Sequence, residues 1–255
     1  MNKSKSIVPF YFDTEFTGFR PDTKLISIGI IIPMSDSLKD AMTFYAEDID
    51  VEINDHEMPM ETYGFLKSNV VPHLLYDKSV YGRLGYDEVD EDKNQVICLH
   101  GNDRISRQMM EWFNTAKERL TSDMVESEIT FIPVSDVMSY DMVLLQSMVS
   151  DHHHDINISP AGYDINNMIA RYLYIKDHPF IDGASAFFND YHLYADDYIM
   201  KAFDASREDL VKELSERLDM ENPFDIIGIQ KHNALFDAKV IYMISKLLHY
   251  TFSSL

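Results

Sequence analysis

The stretch Ser6–Pro33, "SIVPFYFDTEFTGFRPDTKLISIGIIIP", decides how the fold begins. "SIVPFYF" is apolar and aromatic, and "KLISIGIIIP" (Lys24–Pro33) is a long β-branched run, so each predicts a strand. Between them, "TGFRPDT" carries the turn formers Gly18, Pro21 and Asp22. A connection this short joins antiparallel neighbours. "AMTFYAED", Ala41–Asp48, predicts a third strand, which completes a three-stranded antiparallel meander. Asp13 and Glu15 stand at the tip of the first strand. Residues i and i+2 of a strand share a face, so the two carboxylates lie together. They repel each other unless a cation sits between them. A solvated strand end is the alternative, and the pair alone leaves both readings open.

The composition narrows the class. The chain has 255 residues, 45% of them hydrophobic, which is ample for a core. No apolar run approaches the ~20 residues that span a bilayer, so no membrane partner is expected. "MNKSKSIVPF" lacks the apolar core of a secretory signal. Cys98 is the one cysteine, which excludes an internal disulfide and a cysteine-rich zinc site. Together these predict an intracellular, cytoplasmic setting. The net charge of −21 argues against broad, nonspecific binding to a phosphate backbone. A nucleic-acid enzyme needs a positive local potential only where the strand enters, and bound cations can supply part of it.

Further along, "METYGFLKSNVVPHLL" predicts a helix that stops near Pro72. Tyr76–Asn94 is charged and aperiodic and predicts a surface insertion or flexible loop. "DRISRQMMEWFNTAKERL" has helical apolar spacing. Ser127–Asp136 predicts a strand, and "DMVLLQSMV", opened by Asp141, a helix. "MIARYLYI" is helical, while "FIDGASAFFNDYHLYADDYIM" is aromatic and ambiguous. "SREDLVKELSERL" predicts a helix with Ser206 as N-cap, and "NALFDAKVIYMISKLLHYTF" a long final helix. No linker divides the chain, so a single domain over 1–255 is expected, with insertions near 76–94 and 150–204. "HHHD", His152–Asp155, predicts a polar loop, because consecutive histidines do not face one ion.

His232 and Asp237, in "KHNALFDAKVIYMI", fall in the loop entering the final helix and in its first turns. Small residues, Ala234 and Ala238, flank the carboxylate and allow close approach. Each of the two has a bland reading alone, as a cap or a surface group.

Together with "FDTEFTG", this stretch resembles the DEDD exonucleases, the DnaQ-like 3′–5′ exonuclease superfamily. The first motif there is an apolar strand ending Asp-x-Glu, here Asp13-Thr14-Glu15. The third motif, in the histidine-bearing branch, is His-x-Ala-x-x-Asp-Ala, here His232 to Ala238. A further carboxylate opening a helix after a strand is required, and Tyr140-Asp141 matches it. Many members carry an Asn where Val137 stands. Asp164 is the alternative third carboxylate; Asp136 and Asp151 fit the context less well. The opening, with "FLKSNVVPHL", is most similar to a group of small bacterial, mycobacterial-type 3′–5′ exoribonucleases.

The resemblance implies an α/β ribonuclease H-like fold: a mixed sheet with an antiparallel three-strand opening and flanking helices. It implies a phosphodiester hydrolase that trims single-stranded or overhanging 3′ ends of RNA to nucleoside 5′-monophosphates. Two divalent cations, Mg²⁺ or Mn²⁺, would be held by Asp13, Glu15, Asp141 and Asp237. His232 would take the proton of the attacking water. A DNA 3′–5′ exonuclease, and a noncatalytic nucleic-acid-binding or DNA-mimicking module on the same fold, are the alternatives. A homodimer stays open. Arg20, Arg104 and Arg107 could contact phosphate, and the aromatics near Phe187–Tyr198 could stack bases.

Overall fold

The structure is a computed structural model that describes residues 5–54, 56, 58–82, 84–121, 128–149, 156–179, 197–220, 224 and 231–253. The His152–Asp155 run, Asp151 and most of the aromatic stretch before Tyr198 lie outside these residues. The chain forms two compact units, one of residues 1–162 and 230–239, the other of residues 163–229 and 240–255.

The first unit is built on a mixed sheet. Its strands are β1 (Lys5–Phe16), β2 (Leu25–Ile32), β3 (Met42–Asp48), β4 (Tyr86–Asp90), β5 (Gln95–His100), β6 (Glu128–Ser135) and β7 (Asn157–Ile158). They lie in the order β4-β5-β3-β2-β1-β6-β7. The opening is the expected meander: β1 pairs antiparallel with β2, and β2 with β3. The remaining partners of β1 and β3 are parallel, β6 beside β1 and β5 beside β3. Every residue of β2 is buried, as a central strand covered on both faces requires.

One face carries the main core. Phe10, Phe12, Ile28, Ile30 and Phe44 pack there with α3 (Asn102–Thr121) and α4 (Met138–Val149). The periodicity of α3 explains this: Ile105, Met109, Trp112, Phe113 and Ala116 form its buried stripe. Tyr45, Leu99, Ala234 and Leu235 form a separate cluster at the start of the final helix, Ala234–Ser253.

One expectation is refined and one corrected. Met60–Phe65 is α-helical (α1), but the chain then widens into a π-helical turn, Leu66–Val70, and tightens into a 3₁₀ turn, Val71–His73, at Pro72. Tyr76–Asn94 is no unstructured insertion. Asp77 caps a short helix, α2 (Lys78–Tyr81), by accepting from Ser79 N at 2.8 Å. Tyr86–Asp90 then forms edge strand β4, antiparallel to β5. An edge strand tolerates acids on its exposed side, which is why "YDEVD" does not look like a strand.

The second unit opens with the two-residue strand Tyr163–Asp164 and is otherwise helical in its described part. Asp164 caps α5 (Ile165–Asp177) by accepting from Asn166 N at 2.8 Å. The helix Arg207–Arg217 follows Ser206, which accepts from Asp209 N as expected. Glu213 ties it to α5 through Tyr172 Oη (2.5 Å) and Lys176 Nζ (2.7 Å).

Candidate metal centre

Asp13 and Glu15 lie within β1, short of its end. Register places each in a cross-strand row on one face: Asp13–Gly29–Tyr45, then Glu15–Ser27–Glu47. Gly29 is the gap in the first row. A Cβ there would lie 2.2 Å from Leu235 N and 2.3 Å from Leu235 Cα. The missing side chain lets the start of the final helix rest directly on β2, one strand away from Asp13.

That close approach delivers His232 and Asp237. Asn233 caps the helix by accepting from Phe236 N at 3.1 Å, and its Nδ2 donates to His73 O at 3.2 Å. His232 adopts the left-handed φ of 60°, rare outside glycine and a few polar residues. Its backbone N–H donates to Asp237 Oδ2 at 2.9 Å. Its ring meets Phe65 edge-on, with centroids 5.3 Å apart. The His73 segment is itself anchored, because buried Glu47 accepts from Leu75 N (2.5 Å), Tyr76 N (2.8 Å) and Tyr45 Oη (2.6 Å).

Asp141 comes from the first turn of α4. Thr14, which points to the opposite face from Asp13, donates its hydroxyl to Asp141 Oδ1 at 2.5 Å. Asp141 is 1% exposed, and its Oδ2 has no hydrogen-bond partner among the described residues.

Among the described residues two groups of ligand atoms result, each with all its members within 4.8 Å of one another: Asp13, Asp136 and Asp141, and Glu15, His232 and Asp237. All five expected site residues, Asp13, Glu15, Asp141, His232 and Asp237, fall in these groups. Asp136 joins them. Nothing local in the sequence marks it out, because parallel pairing of β1 with β6 brings it in.

The electrostatics follow from crowding. Burial, then the charges of Asp141 and Asp237, hold the Asp13 carboxyl well above the usual range. Burial, with Asp237 and Asp141, pushes Glu15 up to about 9. Burial raises Asp141 to about 7 against the lowering hydrogen bond from Thr14. Burial, with His73 and Lys231, lowers His232. Its Nδ1 lies 3.9 Å from Glu15 Oε1.

A divalent cation fits this donor set. The donors are chiefly carboxylate oxygens, the kind that hard cations take. One buried oxygen, Asp141 Oδ2, has no hydrogen-bond partner among the described residues, and burial, together with mutual repulsion, favours the protonated carboxyls. Positive charge among them relieves both. No helix of the described residues is long and apolar enough to cross a membrane. No protein-family model matches the chain, and no curated protein matches it.

Proposed function

We propose that the chain is a metal-dependent 3′–5′ exonuclease on a ribonuclease H-like fold, with RNA ahead of DNA as substrate. One observation carries the reading: carboxylates from β1, the β6–α4 segment and the final helix converge in two adjacent sets, with a histidine in one of them. The 3′–5′ polarity and the preference for RNA rest on the resemblance of the motifs around Asp13, Glu15, Asp141, His232 and Asp237. The mixed sheet with its antiparallel opening is compatible with that fold.

Asp13, Glu15, Asp141 and Asp237 would hold two Mg²⁺ or Mn²⁺ ions. Bound divalent cations activate water at neutral pH and offset charge on the leaving oxygen. His232 is biased towards its neutral form by burial. With Nδ1 facing Glu15, Nε2 is left to accept the proton of the attacking water. Aromatic rings border the acids. Phe16 stacks on Tyr140 with centroids 5.6 Å apart, and Phe19 packs edge-on to both. Phe19 and Phe65 are 63% and 48% exposed, so they offer apolar surface to unstacked bases. This also answers the chain's acidity, since stacking and cations replace a basic track.

The test is release of label from 3′-labelled single-stranded RNA and DNA, with Mn²⁺ and with chelator. Mononucleotide release that requires Mn²⁺, faster on RNA and blocked by a 3′-phosphate, supports the reading. Failure to release label from either, or cutting of circular RNA, overturns it.

A further inference from the structure

Asp136 is the one member of the two ligand groups that the resemblance does not supply. It follows β6 directly, in the two-residue bend Asp136–Val137 before α4. Its position is dictated by the sheet. β1 and β6 run parallel with an unbroken register from Lys5↔Glu128 to Tyr11↔Val134. Two residues beyond the last pair stand Asp13 on β1 and Asp136 just past the end of β6. The register thus delivers two carboxylates to the same end of neighbouring strands, and α4 adds Asp141 beside them.

We propose that Asp136 is a metal ligand, joining Asp13 and Asp141 in a three-carboxylate set that holds one divalent cation before any nucleic acid arrives. The inference rests on the metal-centre reading above. A carboxylate oxygen of each residue lies within 4.8 Å of the other two. Asp141 Oδ1 is occupied by Thr14, while the buried Oδ2 has no hydrogen-bond partner among the described residues. Asp136 presses on Asp13 more strongly than Glu15 does, and it is the largest charge acting on Asp141. Three acids at this spacing carry an unfavourable charge that a cation reverses. Hard divalent ions favour such all-oxygen sets and complete them with water. A phosphate of the substrate is therefore not needed to retain the ion.

The test is calorimetric titration of the full chain with Mn²⁺, without nucleic acid, in wild type and Asp136→Asn. Wild type should bind two ions. Asp136→Asn should keep one affinity and weaken the other by at least about 10-fold, the low end of what is lost when a group that merely supports a ligand is removed. Thermal melts supply a second readout. In chelator, Asp136→Asn should melt above wild type, because the Asp136 charge that presses on Asp13 and Asp141 is gone. In Mn²⁺ the order should reverse. A residue with only a structural role lowers both melts. Two unchanged affinities in Asp136→Asn, or a variant that melts lower in chelator, overturn the Asp136 assignment and leave the centre standing. Failure of wild type to bind Mn²⁺ overturns both.

Discussion

Gly29→Ala tests how the site is assembled without touching any charged group. The added Cβ would meet backbone, Leu235 N at 2.2 Å and the Ala234 carbonyl carbon at 2.3 Å. Carbon contacts settle near ~3.5–4.0 Å, so the start of the final helix must retreat by more than about 1 Å. Backbone cannot swing aside as a flexible side chain can. Overpacking of this kind costs about 1–3 kcal/mol. At roughly 2–4 °C per kcal/mol for a domain of this size, Tm should fall by about 2–12 °C. The functional loss should exceed the structural one. His232 and Asp237 ride on the displaced segment, and a ~1 Å misplacement costs about 10²-fold in turnover. Gly64→Ala is the control. Its Cβ would meet nothing within 4 Å, and in a helix alanine gains about 0.5–1 kcal/mol over glycine. The assay is 3′-label release with Mn²⁺ beside thermal melts of both variants. Wild-type turnover and Tm in Gly29→Ala would refute the direct seating of the helix on β2.

Three further outcomes follow from the site's electrostatics and rim. Glu15 (about 9, against an ordinary 4.5) and Asp141 (about 7) keep their protons to higher pH folded than unfolded. The folded chain therefore binds more protons across that window, and metal-free stability falls as pH rises from about 4.5 to 9. One pKa unit is about 1.4 kcal/mol, so Tm in chelator should drop by at least about 3 °C between pH 5 and 9, with Mn²⁺ flattening the slope; a Tm that rises across this range contradicts the crowding of the acids. His232→Ala should lose about 10²–10⁴ in kcat while keeping Mn²⁺ affinity, whereas Asp237→Ala should lose both, and in wild type activity should rise with pH through a pKa below the ordinary 6.5 of imidazole. Phe19→Ala should raise KM for single strands about 5- to 150-fold, from the ~1–3 kcal/mol of one base–aromatic stack, with Mn²⁺ binding unchanged; an unaltered KM removes Phe19 from the substrate path.

What was legible in the sequence divides along physical lines. The strands containing Asp13, Gly29 and Tyr45 declare themselves by β-branched and aromatic runs, and the short turn between the first two forces antiparallel pairing. The stripe of α3 and the Ser206 cap are equally local signals. The π and 3₁₀ turns between Leu66 and His73 were not legible, since their side chains fit a plain helix as well. Edge strand β4 was hidden by its acids. Asp136 needed the parallel register of β1 with β6, a pairing between segments more than a hundred residues apart. Asp164 looked like a site carboxylate because an Asp opening a helix is also a good N-cap, and that is its use here.

Crystals soaked in Mn²⁺ show whether these acids form a divalent-cation centre. Anomalous difference maps should show two peaks, one in contact with Asp13, Asp136 and Asp141, the other with Glu15 and Asp237. Maps without a peak among these carboxylates, at Mn²⁺ concentrations that support activity, would rule out the divalent-cation centre.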